Sequence, residues 1–451
     1  MNAMLRQQNS RASWLIWGTY ATALLLAPVL FPEPASLSVL SQTGTAMLLA
    51  LSYNMLLGQG GMMSFGHAVY SGLGGYVAIH ALNLAAQDIL PLPVSLVPLA
   101  GGLGGMFFGA VFGYISTRKA GTGFAMITLG MVELVFASAL MFPDFFGGEG
   151  GVSGNRVIGE PFLGITFGPQ IEVYYLIAAW LFISTAAMYF FTRTPLGRIL
   201  NAVRDNAERV EFVGYDPRRV RYLSVVLSAF FAGVAGGLAA LNFEIVSAEN
   251  VSVARSAGIL LTTFIGGIGY FFGPLLGAIA GVFMTVVLSS YTKAWQLYLG
   301  SLFILIVMFA PGGLAGICMS LLKMAQDLCR AGVSGIWKLL PRLAGLVLSA
   351  CLACVGLVIL VEMAYRRGLE SADRSIIALP GISFDTGMPT HWLLAAVLAV
   401  AGIAGFAWLR RGFPDFYEAT DSGLPSLGPG GESVRAAGDS PAHVRAPRGQ
   451  A

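Results

Sequence analysis

Residues 223–243 read LSVVLSAFFAGVAGGLAALNF, a run without a single charged side chain. As a helix, a run of this length rises about 30 Å, the thickness of a bilayer's hydrocarbon core. Immediately upstream, the stretch Arg193 to Arg221 mixes seven arginines with Asp205, Glu208, Glu211 and Asp216. A basic loop delivered straight into an apolar span is the mark of an integral membrane helix held by its flanking charge. The rest of the chain extends that reading. Of 451 residues, 56% are hydrophobic and 11% charged, whereas soluble domains carry about 25% charge. The 58 glycines sit inside apolar runs without a Gly-X-Y period, which excludes collagen and points to close helix packing in a bilayer. A net charge of +3 is too small to argue for nucleic acid binding.

Stretches able to span lie near 14–31, 36–57, 64–87, 92–116, 120–142, 171–191, 223–243, 257–271, 273–290 and 295–310, with two more near 343–361 and 391–409. The first follows Arg6 and Arg11 and ends at Phe31-Pro32-Glu33-Pro34 without a small-residue cleavage signature, so it reads as an anchor. With the N-terminus in the cytoplasm, alternation leaves only Arg156, Arg255, Lys293, Arg366, Arg367 and Arg374 outside, and the rest of the 26 lysines and arginines inside. The fold class expected is therefore all-α: a polytopic membrane bundle of about ten core helices plus two C-terminal ones, both termini cytoplasmic. The pair 257–271 and 273–290 reads either as two spans or as re-entrant halves around Gly273-Pro274.

The organisation that follows is a cytoplasmic N-terminus over 1–13, a core over 14–317, a connector over 318–342, two extra spans within 343–411 and a tail over 412–451. The connector, with Lys323, Arg330 and Lys338, either lies amphipathically along the inner membrane surface or simply joins two spans. The tail is rich in Gly, Pro, Ser and charge and reads as disordered. Cys351 and Cys354 share Cys-x-x-Cys spacing, but inside an apolar span with no His or acidic neighbour, so packing explains them better than a metal or redox site.

The loop 193–221 has the form of a coupling element: a short charged helix, a turn at Gly214, and a second basic segment entering a span. An ordinary positive-inside loop is the plainer alternative. Its wording narrows the choice. Thr194-Pro195-Leu196-Gly197-Arg198, Ala202-Val203-Arg204-Asp205-Asn206 and Gly214-Tyr215-Asp216-Pro217 stand in order, followed by Ser228-Ala229-Phe230-Phe231-Ala232-Gly233-Val234-Ala235-Gly236-Gly237. Upstream are Tyr53-Asn54-Met55-Leu56-Leu57-Gly58, Ser64-Phe65-Gly66-His67-Ala68 and Gly72-Leu73-Gly74-Gly75-Tyr76. Further along come Phe124, Thr128-Leu129 and Glu133, then Gly266-Gly267-Ile268-Gly269 with Gly273-Pro274 and Gly277.

Together these resemble LivM-type permeases, membrane subunits of ABC importers for branched-chain amino acids, with relatives that take urea, amides or aromatic acids. The resemblance covers about residues 36–317. It implies half of a translocation pore, partnered by a LivH-type second permease, LivG/LivF-type ATPase subunits and a periplasmic substrate-binding protein, in the bacterial inner membrane. It further implies that ATP and magnesium belong to the ATPase subunits and that this chain binds no cofactor or metal, is not itself an enzyme, and touches membrane lipid but no nucleic acid. The coupling residues it marks are Arg198, Arg204, Asp205, Asn206, Glu208, Glu211 and Gly214. One departure is Ala207-Glu208-Arg209-Val210-Glu211, where such loops commonly begin Glu-Ala-Ala, so the docking surface reads as tuned to its own ATPase.

Substrate-path candidates are Ser64, Gly66, His67, Thr128 and Glu133. Glycines 58, 60, 61 and 66 permit backbone breaks that membranes tolerate only where protein or a watery cavity covers them. A helix beginning near Ser64 would aim its positive end into such a cavity. His67 is either a ligand donor or a histidine bonded to backbone. Glu133 lies near the middle of the span 120–142, where a carboxylate is costly and faces the bundle interior or a cavity; Thr128 is read as sharing a polar patch with it. The glycine-rich stretch 147–155 lacks the Lys-Ser or Lys-Thr of a phosphate loop; the resemblance implies a flexible outer surface facing the binding protein, with a plain loop as the alternative. No Walker motif occurs anywhere. A secondary transporter would need several intramembrane charges, and an intramembrane enzyme a cluster of His, Asp or Glu; Glu133 is nearly alone, and His67, His80, His391 and His443 are scattered.

Overall fold

The computed structural model describes residues 2–157, 166–331, 333–367, 376–379, 382–385 and 388–410. The chain divides into two compact units, residues 1–330 and 331–451. The expected tail, 412–451, lies outside the described residues.

The first unit is a bundle of helices: α1 (Asn2–Leu30), α2 (Pro34–Gly60), α3 (His67–Ala86), α4 (Val97–Ser116), α5 (Thr122–Met141), α6 (Pro143–Phe146), α7 (Gln170–Arg193), α8 (Pro195–Asp205), α9 (Ala207–Phe212), α10 (Pro217–Phe243), α11 (Val253–Gly266), α12 (Gly273–Val282), α13 (Ser289–Tyr291), α14 (Trp295–Phe309) and α15 (Gly313–Ala331). A π-helical segment, Phe283–Leu288, joins α12 to α13. Among the described residues of this unit the one sheet is a ribbon of two-residue strands, β1 (Val152–Ser153) antiparallel to β2 (Ile245–Val246). The chain is an all-α polytopic membrane bundle, as its apolar periods require.

The opening stretch, α10, lies at the centre, packed on α4, α3 and α2. Its glycines explain how three backbones can meet there. A Cβ on Gly74 would stand 2.5 Å from the Gly233 Cα and 2.7 Å from the Gly101 carbonyl oxygen, so only glycine fits, as at other close membrane helix crossings. The second half of α2, Leu48 to Leu57, is buried all round, which is the fate of a helix without a polar face. One core cluster joins α2 to α7, α10 and the short helices α8 and α9 through Leu181, Leu200, Val203 and Val210. Another joins α3 and α5 to the segment after α10 through Ile79, Val132, Val135 and Val251.

All twelve expected spans coincide with helices, but not with equal length. Among the described residues eight helices are long and apolar enough to cross a membrane, or nine if α14 and Gly313–Lys323, bent by 54° at a short break, count as one. The apolar part of α1 is Ile16–Leu30, and α3 carries His, Ser, Asn and three glycines within its 20 residues. The helix α11 is the clearest difference from the expectation for 257–271. Its 14 residues rise only about 21 Å, and at Gly267 (φ +106°) the chain turns back into α12, whose Gly277 packs against Gly266. Together α12, the π-helical segment and α13 reach full spanning length, Gly273–Tyr291. The pair is thus one short and one full limb, neither two full spans nor two equal halves.

The second unit contains α16 (Val333–Arg367), α17 (Pro389–Arg410) and a hairpin of β3 (Ile376–Leu379) with β4 (Ile382–Asp385). The two helices pack through small residues: a Cβ on Gly356 would stand 2.8 Å from the Ala399 Cα. Cys351 and Cys354 are exposed, contrary to the packing expectation. Two helices bury only the faces they turn to each other, and both thiols lie off that seam.

Candidate functional site

The loop between α7 and α10 is folded by three helix caps. The Thr194 hydroxyl accepts from the Gly197 N–H (3.2 Å), with Pro195 preset in the first turn of α8. The Asn206 side chain accepts from the Arg209 N–H (2.9 Å) and starts α9. The Asp216 carboxylate accepts from the Arg218 and Arg219 N–H groups (2.9 and 3.4 Å) and starts α10. Between the last two caps Gly214 takes φ +95°, a conformation side chains resist.

This loop has two unlike faces. Leu200, Val203 and Val210 are buried in the same core as α2. Arg198, Arg204, Asp205, Asn206, Glu208, Glu211 and Gly214 are exposed. Beside those charges Phe212 is 91% exposed, Val213 71% and Tyr215 49%. Among the described residues the ion pairs are Arg204–Asp205 (3.1 Å) and Arg219–Asp216 (3.3 Å), so Arg198, Glu208, Arg209 and Glu211 enter none. An exposed aromatic and aliphatic group ringed by unpaired charge is the composition of a protein-docking surface.

The inner face holds the end of α2. The Arg204 guanidinium donates to the Gly58 carbonyl, and its methylene stem lies over Gly61, where a Cβ would meet the Arg204 Cγ at 2.7 Å. The Asn201 amide donates to the Gln59 side-chain oxygen (2.9 Å). At Gly61 (φ +63°) α2 stops, and residues 61–66 cross without regular structure to α3. That helix begins at His67, with Gly66 as its cap, three residues later than the helix expected near Ser64.

The crossing segment is tied to α5, and the first residues of α3 that follow it are tied to α2 and α11. The Phe65 N–H donates to the Thr128 hydroxyl (3.1 Å) on α5, and Gly66 packs against the Thr128 carbonyl. Ser64 is fully buried. His67, also fully buried, places its Nε2 2.9 Å from the Ser52 hydroxyl on α2, edge-on to the rings of Tyr53 and Tyr70. The Ser228 hydroxyl on α10 donates to the Ser52 carbonyl (2.6 Å), and the Ala68 N–H donates to the Ser256 hydroxyl (3.1 Å) on α11. Ser64, Gly66, His67 and Thr128 therefore meet in one buried junction.

Glu133 is not part of it. It is exposed in this chain, on the face of α5 that also carries Met126 and Gly130, whereas Thr128 is buried. Five residues along a helix is a rotation of roughly 140°, so the two do not share a polar patch. A carboxylate at mid-helix and on the outside of one subunit needs cover other than lipid.

The glycine-rich loop 147–155 is also more fixed than the resemblance implies, as is the chain as far as Val157. Its ribbon β1–β2 seats it on the end of α10, the Asn83 amide donates to the Ser153 carbonyl (3.0 Å), and Arg156 donates to the Leu241 and Asn242 carbonyls (both 3.3 Å) and the Phe167 carbonyl (2.8 Å). Sequence reasoning missed Asn201, Gln59, Ser52, Ser228 and Ser256, whose roles depend on partners far away in the chain. Phe212 and Tyr215 stood in the quoted loop, and two aromatics among charges were the signal. Among the described residues no group of three or more His, Cys, Asp or Glu could hold a metal ion.

Residues 36–311 match the family model described as branched-chain amino acid transport system, permease component. Similar proteins include the high-affinity branched-chain amino acid transport system permease protein LivM of Escherichia coli, 27% identical over 322 residues that cover 65% of this chain and 74% of the relative. Permease protein BraD of Pseudomonas aeruginosa is 26% identical over 290 residues, covering 60% of this chain and 92% of BraD. A probable LivH permease of Methanocaldococcus jannaschii is 26% identical over 296 residues, covering 61% and 90%. No solved structure matches this chain at a significant level.

Proposed function

The chain belongs to the branched-chain amino acid transport system permease family, and from that premise we propose that it forms half of the pore of an ATP-driven importer for branched-chain or related small amino acids. The observation that carries the reading is the two-faced loop 194–216, exposed and charged on one side and clasping the end of α2 on the other. ATPase subunits of the LivG/LivF type dock on Phe212, Tyr215 and the charges around them and hold the ATP and magnesium; this chain carries no cofactor. A LivH-type permease completes the pore and covers the face of α5 bearing Glu133. A periplasmic binding protein delivers substrate at the opposite end, and the chain sits in the inner membrane with both termini in the cytoplasm.

Transmission follows the contacts. A shift of α8 carries Arg204 and Asn201, and with them Gly58 and Gln59. The irregular segment 61–66 passes the displacement to Thr128 on α5 and, through Ala68, to Ser256 on α11. Irregular backbone absorbs a rotation that a continuous helix would resist, which is how hinges work. The test is ATP hydrolysis by the assembled complex in nanodiscs. The reading expects leucine-loaded binding protein to stimulate hydrolysis several-fold, and expects the stimulation to vanish without this chain. Hydrolysis by the ATPase subunits that is indifferent to this chain would refute it.

A further inference from the structure

Away from the loop 194–216, the first unit carries a half-open cavity of about 240 Å³ between α2, α3, the far end of α10 and the segment 245–255. Thr45 and Leu49 on its wall are at the middle of the 27-residue α2, so the cavity reaches well into the bundle. Arg255, assigned to an outer loop by the charge pattern, lines it from the first turn of α11. The segment before α11 dips inward to bring it there, Gly72 of α3 packing on Asn250 and Val251, and this is why α11 can be short. Resting on the permease reading above, we infer that this cavity is a binding site for a free α-amino acid, in which the Arg255 guanidinium takes the carboxylate.

The wall is complementary to a zwitterion. Arg255 is in neither ion pair found among the described residues, and a guanidinium presents a fork of donors that matches a carboxylate. The hydroxyls of Ser71 and Thr45 have already donated, to the Ala68 and Gln42 carbonyls (3.1 and 2.9 Å). Their oxygens keep free lone pairs, which suit an ammonium group. Leu49, Phe243 and Ile245 supply apolar wall for a side chain. At about 30 Å³ per water, the space equals roughly eight waters, the scale of a small amino acid. Arg255 is itself exposed, so its guanidinium is free to meet a carboxylate that enters the cavity. Urea and neutral amides carry no carboxylate to use it. The site is also wired to the loop, because Ser256, the next residue, accepts from the Ala68 N–H.

The test labels arginines with phenylglyoxal in the full-length chain, in nanodiscs of neutral lipid, and reads each site by peptide mass spectrometry. L-Leucine should slow modification of Arg255 at least fivefold, leave exposed Arg198 unchanged, and lose its effect when replaced by leucinol, which lacks the carboxylate. Equal labelling with and without leucine, or equal protection by leucinol, would overturn the inference. In the assembled importer, Arg255→Gln should lower leucine uptake at least tenfold at saturating substrate, with Arg255→Lys retaining more; wild-type uptake by Arg255→Gln would also overturn it. The two failures differ. If the wild-type complex carries no leucine while leucine still shields Arg255, the importer reading falls and the site stands; if leucine is carried without Arg255 being shielded or needed, the site falls and the importer stands.

Discussion

Arg204 is where the account stakes most on one side chain. Its guanidinium donates to the Gly58 carbonyl, its stem covers Gly61, and its ion pair is with Asp205. A charge-assisted hydrogen bond contributes about 1.5–3 kcal/mol, and a side chain 42% exposed belongs at the lower end. The Asp205 carboxylate is 69% exposed, so that pair contributes under about 1 kcal/mol. Arg204→Ala thus removes about 2 kcal/mol of attachment between α8 and α2, chiefly from the Gly58 bond and the lost cover of Gly61. A loss of that size changes a two-state population by about tenfold to thirtyfold. In proteoliposomes holding the complete importer, leucine taken up per ATP hydrolysed should fall about tenfold for Arg204→Ala, while ATP hydrolysis continues. Asp205→Asn should change the ratio less than about twofold. An unchanged ratio in Arg204→Ala, or equal damage from Asp205→Asn, would refute the clasp as the transmitting contact.

Gly214→Ala should weaken the loop by about 1–2 kcal/mol through backbone strain alone, because φ is +95° and nothing lies within 4 Å of an added Cβ; hydrogen exchange across 206–216 should show it, with Gly214→Asn milder and a bulky residue no worse than alanine. Gly233→Val should destabilise the bundle by at least about 1–3 kcal/mol, since a Cβ there meets the Gly105 Cα at 2.9 Å and backbone cannot give way; a thermal midpoint in nanodiscs equal to wild type would contradict the packing argument. Phe212→Ser should leave that midpoint unchanged, the side chain being 91% exposed, yet reduce co-purification of the ATPase subunits by several-fold, and full retention would move the docking surface elsewhere.

The membrane spans were legible in the sequence, because apolar length is local; the cap bonds of Thr194, Asn206 and Asp216 were not read from it, although each residue directly precedes a helix. The facing of α5 was partly legible. Helical geometry separates Thr128 from Glu133, but which of the two would be covered depends on neighbours 60 or more residues away, such as Phe65. The place of Arg255 on a cavity wall was not legible at all. Charge counting puts an arginine between two apolar runs outside the membrane, and only the contact of Gly72 with residues 250–251 reveals that the segment turns inward. The clasp of Arg204 on Gly58 joins residues far apart in the chain, and no period or spacing encodes it.

The most direct measurement is uptake of labelled leucine into proteoliposomes carrying this chain with its second permease, its ATPase subunits and its binding protein, with each component omitted in turn. The account predicts uptake that requires ATP and every subunit and that ignores a dissipated ion gradient. Uptake by this chain alone, driven by an ion gradient and indifferent to ATP, would contradict it.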